Sequence, residues 1–105
     1  MKGEIKMYYI NDLYHHVDDE LTGCQMYAEE SIKVKARGNS QWAGRFKEMA
    51  SQELQHAQYL HEYVVQEIEN IKTVYNPTEE ELEKWDKCDR KFYEKEAMLK
   101  VMLSM

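Results

Sequence analysis

Apolar residues recur along this chain at alternating three- and four-residue intervals, in three stretches parted by two short breaks. Ile10, Leu13, Val17, Glu20, Cys24, Tyr27, Ser31 and Val34 follow that spacing in the first stretch, about residues 8–36. Trp42, Phe46, Met49, Glu53, His56, Leu60, Tyr63 and Glu67 follow it in the second, about 41–74. The third, about 79–103, has Leu82, Trp85, Phe92, Leu99 and Leu103 as its apolar positions. The spacing predicts an all-α chain of three long helices in one domain spanning residues 1–105.

The breaks fit this reading. Gly38 suits the left-handed position that ends a helix, and Asn39 or Ser40 suits the cap of the next one. Tyr75-Asn76-Pro77-Thr78 ends the second helix, because the residue before a proline is pushed out of helical geometry. Thr78 with Glu81 three residues later is a capping-box pattern. Asn11 or Asp12 offers a cap for the first helix unless it starts before them. The short turn at Arg37–Ser40 makes the first two helices antiparallel neighbours.

Two carboxylates and an imidazole interrupt the apolar stripes. Glu53 and His56 stand at i and i+3, on one helical face, at positions where the pattern calls for apolar side chains. Glu20 is the corresponding intruder in the first helix. The midpoint of Glu20 and Glu53 falls between Ala36 and Arg37, so each lies ~25 Å along its helix from the turn. In an antiparallel hairpin the three side chains therefore share one level. A buried carboxylate is costly unless paired or bound to a metal, which makes these three residues candidate metal ligands. Di-metal carboxylate sites in helical bundles use four carboxylates and two histidines. One hairpin supplies half of each, and the third helix contains no histidine. Two copies related by a two-fold axis would complete the set, so the expected assembly is a homodimer, or a higher even-numbered oligomer, closing a four-helix bundle.

Composition narrows the function classes. A net charge of −6 argues against a nucleic-acid partner, and no apolar run approaches the ~20 residues of a membrane span. One proline and four glycines leave few interruptions in the helices. Cys24 and Cys88 form no C-x-x-C pair and suit free thiols in a reducing cytoplasm, the expected location. Residues 1–9 contain no signal-peptide core.

Asp19-Glu20-Leu21-Thr22, with Tyr27 seven residues after the glutamate, resembles the first helix of bacterioferritins. Gly38 and Ser51-Gln52-Glu53-Leu54-Gln55-His56 resemble the second helix of bacterioferritins and rubrerythrins. The resemblance covers about residues 10–67, the first half of a ferritin-like bundle, and is similar to the half-ferritins, including encapsulated ferritins. It implies that Glu20 is a terminal ligand, Glu53 a carboxylate bridging two irons, His56 a nitrogen ligand, and Tyr27 a neighbour whose hydroxyl holds a ligand carboxylate. Leu54 stands where bacterioferritin has its haem-ligating methionine, so no haem is expected. There is no four-cysteine rubredoxin domain for electron delivery, and Leu99–Met105 does not read as an encapsulation peptide for a protein compartment.

Carboxylates with imidazole suit iron or manganese, with zinc as a further alternative. The expected function is ferroxidase-like oxidation of Fe(II) by oxygen or peroxide, with two irons per dimer. The competing reading is a metal-free helical association module, with the apolar cluster of Met98, Leu99, Val101, Met102, Leu103 and Met105 as its interface. Among the remaining residues, His61 is expected at the surface and Tyr63 in the core. Tyr8, Tyr9 and Tyr14 are expected against the third helix or a partner, and Glu67 beside a lysine. Glu79-Glu80-Glu81 complements a helix dipole. His16, one turn before Glu20, is a weaker candidate for guiding metal entry.

Overall fold

The computed structural model describes the backbone of residues 2–105 and the side chains from Tyr9 onward; Tyr8, expected to pack against the third helix or a partner, lies outside the described side chains. Three helices account for nearly all of it: α1 (Lys2–Ala36), α2 (Ser40–Lys72) and α3 (Glu79–Ser104). The result is a rod of 56 × 18 × 15 Å. The expected helical class and element order hold. α1 begins well before Asn11 and Asp12, so neither caps it.

The hairpin turn forms as the residues dictate. Asn39 N donates to Val34 O and Gly38 N to Lys35 O, both at 3.0 Å, the paired bonds of a Schellman ending. Gly38 has φ +86°, which only glycine adopts without strain. The Asn39 side chain then accepts from Trp42 N and caps α2. Just inside the turn, Ser31 Oγ donates to Ala43 O at 2.7 Å across the two helices, satisfying a buried hydroxyl. At the second break Thr78 caps α3 by accepting from Glu81 N, and its hydroxyl also bonds Glu81 Oε1. Glu79, Glu80 and Glu81 occupy the first turn of α3.

Burial departs from the expected stripe on α2. The fully covered positions are Ala43, Ala50, Leu54, Ala57, His61, Val64, Ile68 and Ile71. The stripe from Trp42 to Glu67 runs alongside them and stays half open, with Trp42 and Tyr63 exposed. The reason is geometric. At ~100° per residue both series keep helical period, and the alanine-rich one permits the closer approach to α1.

α3 covers one side of the hairpin. Trp85, Phe92 and Leu99 are its buried residues and join the core formed by α1 and α2. Leu82 remains exposed, and Leu103 is only partly buried.

His61 is the clearest correction. It is buried, its ring stacked on Phe92 at 3.9 Å between centroids, and His61 Nε2 lies 2.8 Å from Asp89 Oδ1. The Tyr14 hydroxyl donates to the same Asp89 oxygen at 2.7 Å. Burial first, and the bond to Asp89 second, push the Tyr14 phenol far above its ordinary range, so it stays a donor. One carboxylate thus ties all three helices together. Gln58 to Glu96 and Lys95 to Asp18 bridge the same side. Tyr14 packs on the third helix as expected, but Tyr9 does not. Its hydroxyl lies 2.8 Å from that of Tyr63 on α2, ring edge to ring face.

Candidate metal centre

Glu20 comes from α1 and Glu53 with His56 from α2, on the side of the hairpin away from α3. The residues that hold α3 are Tyr14 and Asp18 on α1, with Gln58 and His61 on α2. Around the helix axes these lie on the opposite flank of the Val17 and Ala57 lines from Glu20, Glu53 and His56. α3 therefore neither covers the three donors nor supplies a fourth.

One donor atom from each residue lies within 4.8 Å of the others. His56 Nδ1 is 3.7 Å from Glu20 Oε2 and 3.9 Å from Glu53 Oε1. The carboxylates are about 70% covered, whereas the His56 side chain is 56% exposed. Glu20 Oε2 is itself buried and has no hydrogen-bond partner among the described residues. An acceptor that has lost water and found no donor is destabilising unless something fills its lone pairs. The Glu53 carboxyl is held above its ordinary range, first by hydrogen-bonding contact with the Glu20 carboxyl, then by burial and Coulombic repulsion, with His56 acting in the opposite sense. A second carboxyl this close disfavours ionising Glu53.

The sign of the resulting pH dependence follows. Because the folded chain holds the Glu53 proton more tightly than the unfolded chain, its contribution to stability is lost as pH rises through the raised pKa. In metal-free protein scanned from about pH 4 to pH 7, wild type should therefore lose melting temperature relative to Glu53→Gln. Parallel curves for the two proteins would refute this.

Tyr27 is partly buried beside this level. Its ring stacks on Phe46 at 6.4 Å, and its hydroxyl makes no hydrogen bond to either glutamate among the described residues. Cys24 is fully buried, and burial first, then the charge of Glu53, push its thiol up to about 11. Glu67 accepts from Asn70 at 3.3 Å, so the expected lysine partner is replaced by a neighbour on its own helix. His16 is exposed.

Gly23 escaped the sequence reading. A methyl group at that position would lie 2.9 Å from Glu53 Oε2. The available signal was a glycine inside an uninterrupted helix, at a cost of about 1 kcal/mol relative to alanine, three residues after Glu20.

The Rubrerythrin family model matches residues 13–102, which takes in Glu20, Glu53 and His56 and nearly all of α3. The chain belongs to the rubrerythrin family. No curated protein and no solved structure matches it. For this rubrerythrin-family chain the resemblance read from Asp19–Tyr27 and Ser51–His56 is borne out in family and in its ferritin-like helical fold. Membership points to an iron-binding carboxylate protein, in keeping with the grouping of Glu20, Glu53 and His56. Among the described residues, no helix of this rubrerythrin-family chain is long and apolar enough to cross a membrane.

Proposed function

We propose that this chain is a di-iron carboxylate protein with ferroxidase-like activity, at a site shared between two copies. The observation that carries the reading is the half-set of donors on an open face: two carboxylates and one imidazole, with one buried lone pair unmatched. The donors fit iron or manganese better than a thiolate-preferring metal, because the set is oxygen-rich with a single nitrogen. The partly covered Cys88 and the buried Cys24 stand outside it.

A second copy supplies what one chain lacks. Glu20, Glu53 and His56 from each partner make four carboxylates and two imidazoles, enough for two metal ions. The open face around them also presents Trp42, Phe46, Met49 and Tyr63, a stripe suited to burial against its own copy. α3 stays on the outer flank and braces each hairpin.

Within the site, Glu20 would hold iron through a carboxylate from α1, and Glu53 and His56 through a carboxylate and a ring nitrogen from α2. Fe(II) is the substrate: two Fe(II) give one electron each to become Fe(III), and one hydrogen peroxide takes both electrons with two protons from solvent, its O–O bond breaking to give two waters. Oxygen is the alternative acceptor. The chain's own part is to give up the Glu53 proton when metal arrives, and to keep both acids at one level.

Anaerobic Fe(II) titration tests the reading. The expected result is one iron per chain, two per dimer, lost in Glu53→Ala and in His56→Ala, with Fe(II) oxidation on adding peroxide or oxygen lost alongside. Absence of stoichiometric binding, or binding unchanged in both variants, would exclude it. Protein purified without iron, manganese or zinc, whose oligomer ignores chelators, would favour a metal-free association module.

A further inference from the structure

We propose that Gly23 is a positioning residue for Glu53: the missing side chain on α1 is the space in which the Glu53 carboxylate of α2 sits. This rests on the metal-site reading above and adds to it a residue that is not a ligand.

The geometry is specific to this glycine. A Cβ at position 23 would come within 2.9 Å of Glu53 Oε2 and 3.5 Å of Glu53 Cδ. The first contact is closer than real methyl groups approach an oxygen, so something must move. The nearest atoms it would meet all belong to the flexible Glu53 side chain, with no backbone among them. The cheapest response is rotation of the Glu53 carboxylate away from Glu20, with both helices left in place. Gly23 stands three residues after Glu20, on the turn that faces the donor level. The same absent methyl group thus lets one carboxylate settle beside the other.

Gly44 is a built-in control. It too lies inside a helix, and a Cβ there meets nothing within 4 Å. Each glycine-to-alanine change lowers the entropy of the unfolded chain and raises helix propensity. The two substitutions therefore agree in their effect on the helix and differ only at Glu53.

The experiment compares wild type, Gly23→Ala, Gly44→Ala, Glu53→Asp and the double variant Gly23→Ala/Glu53→Asp. It measures Fe(II) affinity and stoichiometry anaerobically, together with the melting temperature of metal-free protein. Gly44→Ala should melt higher and bind Fe(II) as wild type does. Gly23→Ala should stay folded and bind Fe(II) ~10- to 100-fold more weakly, the usual loss when a ligand's support is disturbed. In Glu53→Asp the carboxylate is shorter by one methylene and withdraws from position 23. Adding Gly23→Ala to it should therefore cost much less than adding it to wild type, a non-additivity that a purely structural glycine would not produce.

Wild-type affinity in Gly23→Ala, or equal losses in both backgrounds, would overturn the positioning role while leaving the metal site intact. Failure of wild type itself to bind Fe(II) would instead remove the metal-site reading, and the positioning role with it. Should Gly23→Ala not fold, Gly23→Ser/Glu53→Asp against Glu53→Asp reads the same coupling, and a full loss there also overturns the proposal.

Discussion

Phe92→Ala is expected to lower stability by about 3–5 kcal/mol, the usual range for removing a buried phenylalanine from a core. Phe92 is 4% exposed and carries the stacked His61 ring on its face. Truncation leaves a cavity and loosens the imidazole that meets Asp89, so packing and polar terms fall together. For a domain of this size that is a large part of the whole stability. Urea unfolding checks it through a lower midpoint. A second readout gives the test its point: α3 touches the flank away from Glu20, Glu53 and His56, so under native conditions the folded fraction should retain Fe(II) stoichiometry. Asp89→Ala should act in the same direction with a smaller effect, since it leaves His61 and Tyr14 without their shared acceptor. Loss of metal binding at unchanged stability would contradict this division of the hairpin into two flanks.

Adding Fe(II) to metal-free protein without oxygen should raise the melting temperature and drive chains into dimers. The buried Glu20 Oε2, unpartnered among the described residues, gains a partner when a cation binds, and the charge of the cation offsets the repulsion that keeps Glu53 protonated. A ligand present at 100 times its dissociation constant stabilises the folded state by about 2.7 kcal/mol. Because the proposed site draws donors from two chains, that gain should grow with protein concentration. Sedimentation or light scattering with and without Fe(II) reads the assembly directly. Glu20→Ala should remove the metal-dependent part of both effects. A metal-induced stabilisation that ignores protein concentration would mean that one hairpin binds alone and would refute the shared site.

The local signals were legible because short-range rules decide them. Gly38 and Asn39 form the turn where the sequence places it, and Thr78 with Glu81 caps α3. The common level of Glu20 and Glu53 follows from counting residues to that turn, and their donor atoms do meet there. His61 was misplaced because its burial depends on Phe92 and Asp89, which lie about 30 residues further along the chain. The Tyr9–Tyr63 contact likewise joins residues 54 apart in the chain, a pairing that helical period does not encode.

By itself the sequence determined three helices, their breaks and the height at which two acids and an imidazole gather, since helical period and turn chemistry act over a few residues. Only the tertiary structure decided which of two parallel stripes on α2 is covered. Ala43, Ala50 and Ala57 form the close seam and the aromatic stripe is left open. The choice turns on how near two backbones can approach and on which flank α3 takes, through Asp89 gripping Tyr14 and His61. Periodicity is blind to both, because it counts apolar positions without weighing their volume or the partner they await.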